Sequence, residues 1–543
     1  MKKSLEIKVI YIFVTILFAI FLIVPLGSLL FQSFQSQGSF SITHYVNVFT
    51  QNGFVNALRN SFLVSGISAL VTTLLAFMIA YTINYTKIPS FLKKGMKNIT
   101  MLPMLLPTIT YGFAIIYSFG KQGLWTKVFG SQLFEIYGFA GLLLGYVIYT
   151  LPIAFMLVHN AMEYIDKKFI IVSKLMEDNS MKTFLVTLLR PMLPTLAAAF
   201  IQAFFLSFTD FGIPASVGGK YEVVAGVLYN QMLGSLPNFA NGAVVAMVML
   251  IPSILSIALL HWLDRYHIRY TKISQIELKE NKLRDILWGI LTTLINIIIL
   301  AIFAVIFLIP FIKEWPYHIS LTFENIISVI HDPALLGVVQ NSLIVAICTA
   351  LFGTFIVYGS ALTVARSHLN SKLKKAIEVI AMITNTIPGM VLGIAYLLIF
   401  SGTSIQNTFV IIIICNIVHF FSSPYLMMKN SLIKMNAGYE TTAKLMGDSW
   451  IKTIVRVVTP NALSSLLEVF SYYFINAMVT VSAVIFIAGA RTMVMTTKIK
   501  ELQHFAKFNE IFVLSIFILM INLIAKGIFY YLTYKKGRKQ NEK

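Results

Sequence analysis

Few side chains in this sequence are placed to do chemistry, and they are scattered. Asp210 stands in the apolar run Ser207-Phe208-Thr209-Asp210-Phe211-Gly212-Ile213-Pro214. A carboxylate inside hydrocarbon is costly and faces a cavity or a partner. Asp210 therefore reads either as a pathway or gate residue, or as a structural group paired with another helix or lying at the interface. Gly212 and Pro214 would break its helix, which is tolerated where backbone lines a cavity or packs on protein. Asn476, Thr480 and Ser482 are the matching polar groups 270 positions on, where Thr480 faces Asp210. They are candidates for the same path, although Ser and Thr in apolar helices commonly bond their own backbone. His159, His261 and His419 lie far apart, and Cys348 and Cys415 sit in apolar stretches. No metal-ligand spacing and no disulfide framework results, and the cysteines read as small apolar packers. No nucleophile stands near a base. The sequence predicts no catalytic residue, no metal site and no cofactor bound by this chain.

The elements that hold these residues are membrane spans. Hydrophobic residues make up 57% of the chain and charged residues 12%, against about 25% charged in a soluble domain. Apolar runs of about 18 or more residues are read as spanning helices. Twelve are expected, over 9–31, 61–83, 99–119, 136–159, 196–217, 242–263, 286–312, 342–365, 376–400, 409–428, 463–487 and 511–532. The N-terminal run is too long for a signal peptide and lacks a small-residue cleavage site, so it reads as a retained first span. With both termini cytoplasmic, the inner segments carry 33 of the 42 Lys and Arg, as the positive-inside rule requires. One stretch resists: Arg491, Lys498, Lys500 and Lys507 fall on the outer side. The formal charge of +20 is thus mostly topology, spread over seven segments, and is no argument for nucleic acid. Asp264 and Arg265 read as an interfacial charge pair, and Pro103, Pro107 and Pro388 as interruptions of spans three and nine.

The chain repeats itself. Asn60-Ser61-Phe62-Leu63-Val64 returns as Asn341-Ser342-Leu343-Ile344-Val345, Leu92-Lys93-Lys94 as Leu373-Lys374-Lys375, and Pro107 as Pro388. Ser173-Lys174-Leu175-Met176-Glu177-Asp178-Asn179-Ser180 returns as Ala443-Lys444-Leu445-Met446-Gly447-Asp448-Ser449-Trp450, before Pro191 and Pro460 respectively. The fold class expected is an all-α polytopic membrane protein of about twelve helices in two six-helix repeats. An even number of spans per repeat makes the repeats parallel, with a path between them. The halves are 1–263, with a polar loop at about 160–193, and 285–543, with its loop at about 430–460; a cytoplasmic linker covers 264–284. In the second loop a short helix from Glu440 through Ala443 and Lys444 should end at Gly447, which accepts the left-handed conformation. Asp448 or Ser449 should cap the next helix. In the first loop Glu177 stands where Gly447 does, and Asp178 or Asn179 is expected to supply the turn.

The second loop resembles the "EAA" loop of ATP-binding-cassette importer permeases, a Glu-Ala-Ala segment followed by Gly. The first departs from it at Ile171, Val172 and Glu177. Over nearly the whole chain the layout is similar to the fused, double-length, type I importer permeases for ferric iron or 2-aminoethylphosphonate. That resemblance implies docking loops at Lys174, Leu175, Met176, Glu177 and Asp178, and at Glu440, Ala443, Lys444, Leu445, Met446, Gly447 and Asp448. It implies two ATPase subunits that use ATP, an extracytoplasmic substrate-binding protein, and a bacterial plasma (inner) membrane around the chain. The alternative is a gradient-driven twelve-span secondary transporter, which would need more intramembrane charge and no twin docking loops.

Overall fold

The computed structural model describes residues 5–36, 38–263, 265 and 281–541. Asp264 and most of the 264–284 linker lie outside the described residues. The architecture is all-α, with two short hairpins. Among the described residues nine helices are long and apolar enough to span a membrane, or up to twelve if each of three bent pairs is one span.

The repeat is deeper than its sequence matches. Each half begins with a long apolar helix, Leu5–Phe34 or Lys282–Phe311. A two-stranded hairpin follows, pairing Gln35 with Phe40 in one half and Ile312 with Leu321 in the other. A short helix, Thr43–Thr50 or Glu324–His331, then leads into a long one, Asn52–Tyr85 or Pro333–Ala365. The recurring Asn-Ser pairs have a shared task at that point. Asn60 donates to Glu222 O, and Ser61 Oγ accepts the N–H of Val224, where helix Val224–Leu233 starts. Asn341 donates to Arg491 O and Met493 O, and Ser342 Oγ accepts the N–H of Met495, where helix Met495–His504 starts. This second helix carries Lys498 and Lys500, two of the four basic residues that resisted the charge pattern. Lys500 is buried in it, donates to Gln503 Oε1 at 2.8 Å, and has its amine pushed down to about 8 by burial.

Proline placement explains three local widenings. The π turns Ala19–Ile23, Leu185–Leu189 and Ile454–Val458 are each followed, two residues on, by Pro25, Pro191 or Pro460. Proline offers no N–H and its ring strikes the carbonyl four residues back. A π turn re-registers the ladder locally and lets the helix continue. Pro107 and Pro388 act more sharply. They separate helix pairs bent by 111° and 102°.

By packing, the chain forms two compact units. One comprises Val48–Asn230 and Ile251–Asn325. In it Asn52–Tyr85, Phe139–Glu163 and Arg190–Thr209 pack on one another, and Lys282–Leu308 packs on Asn52–Tyr85. Thr82 Oγ1 meets Thr292 Oγ1 at 2.7 Å, and Trp125 donates to Ala301 O at 3.0 Å. The other comprises Met1–Asn47, Gln231–Leu250 and Ile326–Lys543. There Pro333–Ala365, Ser422–Lys434 and Thr459–Val479 form the equivalent trio, and Leu5–Phe18 packs on Pro333–Ala365. The Phe18 and Phe421 rings meet tilted, 4.5 Å between centroids, and Tyr396 OH donates to Phe21 O at 2.6 Å. Sequence repeats and packing units are therefore different divisions of the chain: the first helix of each repeat is built into the unit made mainly from the other.

Candidate functional site

The two polar loops share one local geometry. In the first, helix Lys168–Leu175 ends through Met176, and Glu177 takes the left-handed conformation at φ 61°. Asp178 N–H donates to Ser173 O at 3.1 Å and Glu177 N–H to Lys174 O at 3.1 Å. In the second, helix Gly438–Leu445 ends through Met446, Gly447 has φ 78°, and Asp448 N–H donates to Ala443 O at 2.9 Å. The six-to-one bond across a left-handed residue is the Schellman closure of a helix. Glu177 itself therefore makes the turn expected of Asp178 or Asn179. Asn179 and Ser449 each cap the next helix instead, accepting from the N–H of Lys182 and Lys452.

Both turns push the same two apolar side chains outward. Leu175 and Met176 are 78% and 72% exposed, and Leu445 and Met446 85% and 76%. Behind each tip an Asp–Lys pair closes the following helical turn, Asp178 with Lys182 and Asp448 with Lys452. Hydrogen bonds from Lys182 and Ser173 hold the Asp178 carboxyl below its usual range. Lys174 lines a cavity beside the first loop; of Lys444 only the backbone is described.

The loops are anchored differently. Arg366, at the end of Pro333–Ala365, chelates Glu440 with Nε and Nη2 at 2.6 Å and donates to Met435 O and Asn436 O at 3.0 and 2.9 Å. Trp450 Nε1 donates back to Arg366 O at 3.3 Å. In the first repeat Tyr85 and Ile170 occupy the positions of Arg366 and Glu440. The cation there comes from the loop: Lys167 Nζ donates to Asn84 O at 3.0 Å and lies 5.3 Å above the Tyr85 ring. Burial pushes the Lys167 amine down. Neither Arg366 nor Lys167 carries a signal in the sequence, because the partners lie more than 60 positions away.

The proposed path residues lie at matching helix breaks. Asp210 ends Arg190–Thr209 with ψ 139°, and Thr480 ends Thr459–Val479 with ψ 135°. Asp210 is buried and caps the next helix, its Oδ2 accepting from Ile213 N–H at 2.9 Å. Thr480 O accepts from Thr496 Oγ1 at 2.8 Å. Asn476 spends its amide on Tyr472 O within its own helix. Each break meets the proline elbow of the same unit. A Cβ on Gly212 would strike Thr108 Oγ1, and one on Gly389 would strike Ser482 Oγ. Gly389 aligns with Thr108 and Ser482 with Gly212, so small and large have exchanged sides of one contact. His419 lies beside the Gly389 contact, and among the described residues neither its Nδ1 nor either amide atom of the fully buried Asn416 has a hydrogen-bond partner. Asn416 carries no signal in the sequence, since a single amide in an apolar span is not distinctive.

Comparison with known proteins places this arrangement. The sequence profile described as "Binding-protein-dependent transport system inner membrane component" matches twice, over residues 72–271 and 355–537. The ferric transport system permease protein FbpB of Actinobacillus pleuropneumoniae is 26% identical over 506 residues, covering 90% of this chain and 72% of that one. The FbpB 1 protein of Haemophilus influenzae is 26% identical over 513 residues, covering 89% and 78%. A crystal structure of a bacterial ABC transporter that imports the acidic polysaccharide alginate aligns with 48% of this chain and 93% of its own at 15% identity and a TM-score of 0.40. The two profile matches, one in each repeat and together spanning most of the polypeptide, show that this chain belongs to the binding-protein-dependent inner membrane component family, as a fused double-length permease of an ATP-binding-cassette importer.

Proposed function

We propose that this permease imports ferric iron and that two separate ATPase subunits drive it through the loops around Met176 and Met446. The observation that carries the coupling is the shared Leu-Met tip, held outward in both repeats by the same backbone closure. Exposed apolar side chains on a rigid helix end are suited to seat in a partner's groove. An extracytoplasmic binding protein delivers the substrate, and both termini face the cytoplasm, in keeping with the Lys and Arg distribution. Ferric iron is supported by the similarity to the ferric transport permease FbpB along 90% of the chain. Asp210 at the break of the first repeat, and Asn476, Thr480 and Ser482 at that of the second, are the candidate path residues. ATP-dependent uptake of radiolabelled ferric iron by the complete transporter tests the reading, with 2-aminoethylphosphonate as competitor. Iron uptake should be abolished by Leu445→Asp/Met446→Asp and by Leu175→Asp/Met176→Asp, with protein level unchanged. Uptake that survives both double variants overturns the docking role; uptake of the phosphonate in place of iron overturns the substrate.

A further inference from the structure

A groove lies near the first polar loop. It encloses about 550 Å³ between the segment at Lys87-Ile88-Pro89 and the helix Lys282–Leu308. Its walls are apolar, with Leu92 and Met96 on one side and Ile286, Ile290, Leu294 and Ile297 on the other. The last four recur at three- and four-residue spacing, so they form one face of the helix. From Asp285 to Ile297 that face runs about 18 Å, close to one leaflet of a hydrocarbon core about 30 Å thick. Gly289 lets the two walls approach, since a Cβ there would press on Ile88 Cδ1 at 3.0 Å.

Charge stands at one end only. Lys87 and Lys282 line the groove where the helix begins. The carboxylate of Asp285 is there too, but Arg284 already holds it through Nε at 2.8 Å and Nη2 at 2.7 Å. Lys282 forms no ion pair among the described residues. Lys87 also borders a second cavity of about 760 Å³ that Lys167, Lys174 and Arg284 share. Tyr81 and Trp288 pack at 4.6 Å beside this end, as aromatic rings do at the level of lipid headgroups.

We propose that the groove binds an anionic phospholipid, its phosphate between Lys87 and Lys282 and one acyl chain along Ile286, Ile290, Leu294 and Ile297. A free phosphate would be served by the cations alone. The apolar wall, one leaflet deep, favours a lipid. This assignment is independent of the iron reading, since it needs only that the chain spans a membrane.

Native mass spectrometry of the purified, delipidated protein, exposed in detergent to phosphatidylglycerol or to phosphatidylethanolamine, tests it. The wild-type protein should retain phosphatidylglycerol in preference. Lys87→Gln/Lys282→Gln should weaken that binding roughly thirtyfold, from the usual attraction of two basic residues to an anionic headgroup. Lys87→Arg/Lys282→Arg should keep it, as should the charge-matched Lys372→Gln/Lys375→Gln in the other repeat. Thr293→Trp, which fills the groove without changing charge, should lose both lipids. Each variant is compared at equal monodispersity, so that misfolding is not mistaken for loss of the site. Equal retention of the two lipids, unchanged binding by Lys87→Gln/Lys282→Gln, or displacement by millimolar inorganic phosphate would overturn the proposal, the last by assigning a free-anion pocket.

Discussion

At residue 177 a glutamate holds the left-handed backbone that glycine holds at residue 447. A side chain in that conformation costs about 1 kcal/mol or more, through the clash of Cβ with the following carbonyl. The first loop accepts the cost and offsets it with bonds that the second lacks: Ser173 Oγ donates to Asp178 at 2.8 Å and meets Thr183 Oγ1 at 3.0 Å. Ala443 stands where Ser173 does and offers no hydroxyl. Glu177→Gly should therefore stabilise its loop by about 1 kcal/mol, read as slower limited proteolysis at 174–179, with transport retained. Gly447→Val should destabilise the second loop by about 1–2 kcal/mol, because a β-branched side chain is worse still there. ATP hydrolysis should then continue while uptake falls. Undiminished uptake in Gly447→Val would count against this turn as the coupling element.

On the scale of elements, each polar loop is tied to the end of the long helix that precedes it in its own repeat, by opposite means. The second repeat sends an arginine down from the helix to clasp the loop. The first sends a lysine up from the loop to the helix end. The arginine clasp is the stiffer, since its planar fork meets Glu440 at two points and two carbonyls as well. The Arg366 side chain is only 4% exposed. Arg366→Met should cost about 2–3 kcal/mol, somewhat less than a fully buried pair because Glu440 keeps contact with solvent. A double-mutant cycle with Glu440→Gln measures the coupling directly. Additive effects on the unfolding midpoint would show that the two side chains do not act together.

For the whole molecule, packing units and sequence repeats disagree for a physical reason. The helix Lys282–Leu308 supplies partners for Thr82 and Trp125, which belong to the first repeat. Without that helix the Trp125 indole N–H loses its acceptor, Thr82 keeps only its bond to Met78 O within its own helix, and the apolar face of Asn52–Tyr85 that packs on it is uncovered. The fragment 1–263 should therefore be degraded or aggregate when made alone. Made together with 264–543, it should copurify as a stable pair. A monodisperse, protease-resistant 1–263 fragment would contradict the exchange of first helices.

How much of this could be read in advance depends on the range of the interaction. Hydropathy along the chain placed the spans, because a bilayer imposes a length on every helix. The Asn60-Ser61 and Asn341-Ser342 match, and the Leu-Met tips, were visible as repeats, although what the serines cap was not. The structure differs from the boundaries expected near residues 196 and 463. The helices there run unbroken from the polar loop, as Ser180–Thr209 and Trp450–Val479, and hydropathy does not register a helix continuing into water. The sequence alone determined that this is a membrane protein of two repeats with twin polar loops, since composition and periodicity are local. Only the tertiary structure decided that Glu177 adopts the turn of Gly447, that Arg366 and Lys167 anchor opposite loops, and that first helices trade units. Each of those outcomes depends on backbone closure or on partners dozens to hundreds of positions apart, whose contact no local pattern encodes.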